Sequence, residues 1–235
     1  MTPLFKTGTD MHRLTLVIGN KNYSSWSLRP WLLLHHFGQT FVEVRIPLNQ
    51  ADTRNRLQQY SPSLKVPVLI HDTLTVWDSL AICEYVSEQL LDGRGWPQAS
   101  AARAHARSYA AEMHSGFNTL RNKWPMNIRL QRKLPYEDDA ELVRDIRRVE
   151  QIWSECLEKS GGPFLFGDFG IIDAMYAPVA LRFNSYQPAL NECAQRYRQT
   201  LLASHSLQEW MAAGVAEKEV IKEDEVGFLL GEPGW

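Results

Sequence analysis

Apolar and polar residues follow two rhythms along this chain, and the change from one to the other divides it. Leu14-Thr15-Leu16-Val17-Ile18 is a short apolar run closed by Gly19-Asn20, the length and bounds of a buried strand. After a loop over 21–24, Trp31, Leu32, Leu34 and His35 form a helical stripe ending at Gly38, with Pro30 read as lying near the first turn. Phe41 to Ile46 alternates apolar and charged residues as a half-exposed strand does, and Thr53 to Tyr60 suits a short helix. Val66 to Ile70 and Leu74 to Val76 read as two strands around a turn at His71-Asp72, and a helix is predicted from about Ser79 to Leu90. The predicted order is βαβαββα over residues 12–92, an α/β domain with parallel and antiparallel parts.

Strand patterns stop at Asp92-Gly93-Arg94-Gly95-Trp96-Pro97, where glycine and proline cluster as in a linker. Residues 98–235 then show helical periodicity only. Ala101 to Arg121 reads as one long helix. Glu137 to Lys159 carries Leu142, Ile146, Val149, Trp153 and Cys156 on one face, and Gly161-Gly162-Pro163 ends it. Ile171 to Phe183, Ala189 to Ala203 and Leu207 to Val215 supply three more helices, making an all-α second domain. Residues 1–11, rich in threonine and glycine, read as a flexible extension.

Composition narrows the function. A chain of 235 residues that is 44% hydrophobic can bury substantial cores. Its net charge of −2, from 25 basic and 27 acidic side chains, gives no electrostatic footprint for nucleic acid or an anionic membrane. The three cysteines, Cys83, Cys156 and Cys193, form no CxxC pair and read as structural free thiols in a reducing compartment. No run approaches the roughly 18 apolar residues of a membrane span, and the first residues lack the layout of an export signal, so the expected setting is cytoplasmic. The seven histidines show no ligand spacing, and no metal is expected.

The stretch from Ser61 to Val86 carries the chemistry. Proline has no N–H and is confined to edges or bends, so Val66, ahead of Pro67, could turn its backbone toward a ligand from an edge strand. Asp78 and Ser79 sit where a helix exposes unpaired N–H donors. A ligand with a short peptide backbone and charges at both ends, such as glutathione, suits both features. An ordinary edge strand followed by a capped helix explains them too, and the pattern alone favours that plainer account.

Four ordered elements change the balance: Ser24-Ser25-Trp26-Ser27, Val66-Pro67, Asp78-Ser79 with Ala81-Ile82, and Phe166-Gly167-Asp168 with Asp173. With these, the chain resembles a cytosolic glutathione S-transferase, most closely the zeta-like bacterial branch, over about residues 13–215. The resemblance implies a thioredoxin-like N-terminal domain that binds glutathione as co-substrate, an all-helical domain shaping the pocket for a small electrophile, and a homodimer. It implies that Ser24, or Ser25 in its place, stabilises the glutathione thiolate, although either serine could instead cap the helix. It implies a cis Val66–Pro67 bond, with the Val66 backbone pairing the cysteinyl unit. Asp78 and Ser79 would hold the γ-glutamyl end, and Lys65 the glycyl carboxylate unless it is only a solvated lysine on an edge strand.

Two positions depart from the family. Trp26 stands where zeta members carry cysteine and is expected at the rim of the pocket; Gly170 stands where a serine or threonine usually precedes Asp173. Arg182 resembles an arginine that zeta members use for an acidic second substrate. Met113, His114, Phe117, Arg121 and Trp124 lie at helical spacing and read as core.

The expected reaction is conjugation of glutathione to small electrophiles through a serine-stabilised thiolate. The alternatives are a cis-trans isomerase of maleyl-type diacids and a non-catalytic binding module on the same fold; absence of a cysteine at 24–27 disfavours a thiol-disulfide oxidoreductase. Lowering a thiol of pKa about 8.5 by two units takes about 2.7 kcal/mol. A helix N-terminus contributes about 0.3–1 kcal/mol, and a hydroxyl donor to the anion about 1.5–3 kcal/mol, so the hydroxyl is needed.

Overall fold

The computed structural model describes residues 14–227, and the extension expected over residues 1–11 lies outside the described residues. The first half runs β1 Leu14–Ile18, α1 Ser25–His36, β2 Val42–Arg45, α2 Thr53–Leu57, β3 Val68–His71, β4 Leu74–Trp77 and α3 Ser79–Leu90. This is the predicted order. The four strands lie in the order β2-β1-β3-β4, with β1 and β2 parallel and the other pairs antiparallel. Side chains of a strand alternate between faces. Leu14, Leu16 and Ile18 therefore join Leu69 in the core under α1 and α3, while Val17 and Val68 pack on the other face with Ile46 and Leu57.

Val66 does not lie in an edge strand. β3 is paired on both sides, and it begins only at Val68 because Pro67 has no N–H to give to a ladder. The Val66 backbone is left out of the sheet by the strand's end rather than by its edge, and the Val66–Pro67 peptide is cis. Pro30 lies beyond the first turn of α1, which begins at Ser25, so the Trp26 carbonyl lacks its usual helical N–H partner.

The second half is helical: α4 Ser100–Ser115, α5 Asn118–Lys123, α6 Ala140–Ser160, α7 Ile171–Tyr186, α8 Glu192–Ala203 and α9 His205–Ala216, followed by a single 3-10 turn at Lys222–Asp224. The helix predicted as continuous from Ala101 to Arg121 is two. Gly116 is extended and Phe117 takes a left-handed φ of 56°, which buries the Phe117 ring, and the Asp145 carboxylate accepts the freed Leu120 N–H at 3.0 Å. α6 begins where Asp139 accepts from Leu142 N and ends at Gly161, whose φ of 78° suits a helix terminus. α7 is buried along almost its whole length and packs on α1 and α4. The buried apolar residues on the α1 side of the sheet and those of the helical half form one continuous core.

Candidate active site

The site grows from the starts of two helices. At α1 the cap falls to Ser24, which the sequence left open between the two serines. Its Oγ accepts from Ser27 N at 3.4 Å and donates at 2.8 Å to Ser27 Oγ, which in turn accepts from Gly19 N at 3.1 Å. Ser25 is the first helical residue and takes no part in the cap. Both serines are buried, at 5% and 9% exposure.

At α3, Asp78 holds φ 74° and ψ 133°, a conformation that costs a non-glycine residue about 1–3 kcal/mol and that concentrates at ligand sites. Its Oδ1 accepts from Leu80 N at 2.9 Å and Ala81 N at 3.3 Å, and its Oδ2 meets His114 Nε2 at 3.2 Å. Ser79 is buried, and its Oγ accepts a long bond of 3.4 Å from Arg29 Nη1.

A cleft of about 480 Å³ joins these parts. It is lined by Trp26, Ser63, Lys65, Val66, Pro67, Trp77, Asp78 and Ser79. Of the candidate site residues, the structure brings Lys65, Val66, Asp78, Ser79 and Trp26 together along this cleft. Ser24 and Ser25 are not among its lining residues; they sit immediately before Trp26 at the start of α1. Lys65 is exposed at this cleft. A roomier cleft of about 710 Å³ lies at the other end of α1, between His36, Trp96 and Phe166, and contains none of the predicted site residues.

Behind Trp26 lie two arginines and a histidine whose meeting there the sequence reading missed. The Arg29 guanidinium is centred 4.2 Å from the Trp26 ring and that of Arg121 5.2 Å from it, while His114 meets the ring edge-on at 5.4 Å. Arg29 is 1% exposed and its Nε has no partner. Burial first, and then the neighbouring Arg182 and Arg121, push its guanidinium down to about 9, so it stays charged at neutral pH. Burial also pushes His114 below the usual histidine range, against the pull of Asp78. The available signal was polar: His114 and Arg121 interrupt an otherwise apolar stripe.

Arg182 is in the core rather than on the cleft wall. It is 4% exposed, with Nε donating to Trp124 O at 2.7 Å and Nη1 to Pro178 O at 3.2 Å. Tyr23, next to Ser24, is a second hydroxyl that could be imagined on a thiol. It is committed elsewhere: it accepts from Arg129 Nη2 at 2.6 Å and donates to Glu225, and burial pushes its pKa up.

Comparison with known proteins bears on the fold. Residues 23–89 match the family model for the glutathione S-transferase N-terminal domain. The chain has the glutathione S-transferase fold. A glutathione transferase homologue from Burkholderia with bound glutathione superposes with a TM-score of 0.68 at 21% identity, covering 86% of this chain and 98% of that one. A tau-class glutathione S-transferase from mango, Mangifera indica, gives 0.67 at 19% identity over 85% and 92%. An omega-class glutathione transferase from Trametes versicolor gives 0.64 at 16% over 84% and 83%. In sequence, a probable maleylacetoacetate isomerase of Caenorhabditis elegans is 32% identical over 98 residues, which are 42% of this chain and 45% of that protein. The matched region therefore spans less than half of that curated relative. Within this glutathione S-transferase fold no helix among the described residues is long and apolar enough to cross a membrane, and those residues hold no cluster of three or more His, Cys, Asp or Glu side chains suited to a metal.

Proposed function

We propose that this chain conjugates glutathione to small electrophilic compounds, through a thiolate held at the start of α1 by the Ser24 hydroxyl with Ser25 beside it. The observation that carries the reading is the single cleft in which the free Val66 backbone, the strained start of α3 and the start of α1 meet. Each part has a partner on the tripeptide. The Val66 N–H and C=O suit the cysteinyl peptide unit. Ser79 and the first N–H groups of α3 suit the γ-glutamyl carboxylate, and Asp78 Oδ2 suits its ammonium in place of neutral His114. Lys65 is free to meet the glycyl carboxylate.

The Ser24 proton rests on Ser27 Oγ, an oxygen that Gly19 N also serves. Turning it toward the sulfur exchanges a neutral hydrogen bond for a charge-assisted one, which is about twice as strong. The enzyme reading includes the homodimer implied by the resemblance, which sedimentation equilibrium tests.

A second reading, glutathione-dependent cis-trans isomerisation of a maleyl-type diacid, draws support from the C. elegans relative and from Arg29 and Arg121 around Trp26, a setting that favours an anionic substrate. Trp26 in the place of the zeta cysteine weighs against it.

The test is an assay with glutathione plus a chloronitroarene and, separately, a maleyl diketo acid. Ser24→Ala is expected to raise the pKa of the bound thiol, read by its ultraviolet thiolate band, by about one to two units. That lowers kcat at pH 6.5 about ten- to a hundredfold with little change in the KM for glutathione. Ser25→Ala should do much less, and the reverse result would exchange the two roles. No turnover of either substrate, with no glutathione bound at millimolar levels, would leave the non-catalytic binding module.

A further inference from the structure

The loop that delivers Ser24 to α1 is fastened by a segment almost 200 residues further along the chain. Just after α9, Glu217 turns its carboxylate back onto this loop. Oε1 accepts from Lys21 N at 2.8 Å and Oε2 from Asn22 N at 3.1 Å, and the side chain is only 7% exposed. Two successive backbone N–H groups thus grip one carboxylate, a charge-assisted arrangement of the stronger kind. The segment is itself held down. Arg129 donates to Glu217 O at 2.8 Å and Glu219 O at 2.9 Å while also donating to Tyr23 Oη, and Tyr23 Oη donates to Glu225. Trp210 Nε1 donates to Lys21 O at 3.0 Å, and the Asn22 side chain is tied by Arg129 N, which donates to its Oδ1 at 3.0 Å, and by its own Nδ2, which donates to Asn127 Oδ1 at 3.0 Å. The loop then passes to Ser24, whose N–H bonds Asn20 O at 2.8 Å.

We propose that Glu217 is a positioning residue for thiolate formation: through Lys21 and Asn22 it fixes the loop that aims the Ser24 hydroxyl, so that the end of the helical half sets the acidity of the bound thiol. The inference rests on the transferase reading above. The coupling comes from proximity. A charge-assisted hydrogen bond weakens steeply with misalignment, and Asn22 N is two residues from Ser24. Displacement of that peptide is therefore carried directly to the hydroxyl. The docking residues for the tripeptide, Val66, Asp78 and Ser79, lie on other segments and line a cleft in whose wall Glu217 has no place.

Glu217→Gln keeps the side chain's length but sets an amide N–H against one of the two backbone N–H donors. Glu219→Gln is its matched control: Glu219 lies on the same segment and pairs with Arg45 as Glu217 does, and its carboxylate makes no bond to the loop. For Glu217→Gln we expect the thiol pKa in the glutathione complex to rise by about one unit, which is a tenfold loss of thiolate below the pKa. kcat at pH 6.5 should fall about tenfold and recover toward the unsubstituted value at high pH, with the KM for glutathione held within about twofold. Glu219→Gln should leave the thiol pKa where it was.

A Glu217→Gln protein with lowered melting temperature and an unmoved thiol pKa would overturn the proposal, as would equal shifts in both variants. If Glu217→Gln is recovered unfolded, Glu217→Asp takes its place, because a carboxylate one methylene shorter keeps the charge but cannot reach both Lys21 N and Asn22 N, and the same rise is expected. Failure of the underlying reading looks different: the unsubstituted protein itself would show no thiolate band with glutathione.

Discussion

Gly170 shows how a residue that departs from a family pattern can be fixed by its neighbour. A Cβ built on Gly170 would stand 2.9 Å from the carbonyl oxygen of Gly95, the same oxygen that accepts from Ile171 N at 2.9 Å. The linker backbone thus occupies the space in which a capping serine or threonine would stand. Asp173 keeps its half of the motif, accepting from Gly170 N at 2.9 Å. Gly170→Ala and Gly170→Ser are both expected to cost about 1–3 kcal/mol in urea denaturation, since the carbonyl or the start of α7 must move. A serine variant as stable as the natural chain would show that the cap outweighs the crowding. At the same scale, Lys65, Val66, Asp78 and Ser79 were legible in sequence because each is marked locally, by a proline or by a polar pair ahead of an apolar helix. Arg29 and His114 were not. Their partners Ser79 and Asp78 lie on another element, 50 and 36 positions away, and periodicity describes one helix at a time.

Among the elements, the order of strands and helices was readable because strand and helix rhythms differ. The break between α4 and α5 was not, since the apolar spacing runs on through Phe117 while the backbone turns left-handed there. The position of β3 inside the sheet was also illegible: pairing order is a tertiary fact, and a proline at a strand's end leaves the same mark as one at its edge. The start of α7 carries a titration that tests its packing. Asp173 is fully buried, and desolvation pushes its carboxyl up to about 6 despite hydrogen bonds from Leu165 N, Tyr197 Oη and Gly170 N. The folded chain therefore keeps a proton that the unfolded chain releases near the ordinary aspartate value. This contribution to stability is fully present below about pH 4 and is lost as pH rises through about 6. At about 1.4 kcal/mol per unit the change is about 3 kcal/mol. The measurement is the stability difference between the natural chain and Asp173→Asn at pH 4 and at pH 7, with the natural chain's relative standing falling by that amount. A difference independent of pH would remove the effect.

For the whole molecule, the decisive feature is α1, which is buried on more sides than a helix lying on one sheet can be. Leu28, Trp31, Leu32, Leu33 and Leu34 are all buried, although a helix over a sheet hides only one stripe. The remaining faces are covered by α7 and α9 of the helical half. His35 adds a polar tie, meeting Ser206 Oγ at 2.9 Å and Glu209 Oε2 at 2.8 Å on α9. Taking the helical half away would uncover several large side chains at about 1.5–3 kcal/mol each. Three of them cost about as much as the 5–15 kcal/mol that holds a whole domain together. The two halves are thus distinct in architecture and joined in energy. A single unfolding transition is expected, with tryptophan fluorescence, which samples both halves, coinciding with far-ultraviolet circular dichroism across urea concentration. A fragment of residues 12–92 should stay unfolded on its own. Two separated transitions, or a fragment with native near-ultraviolet dichroism, would mean that the sheet side of α1 suffices.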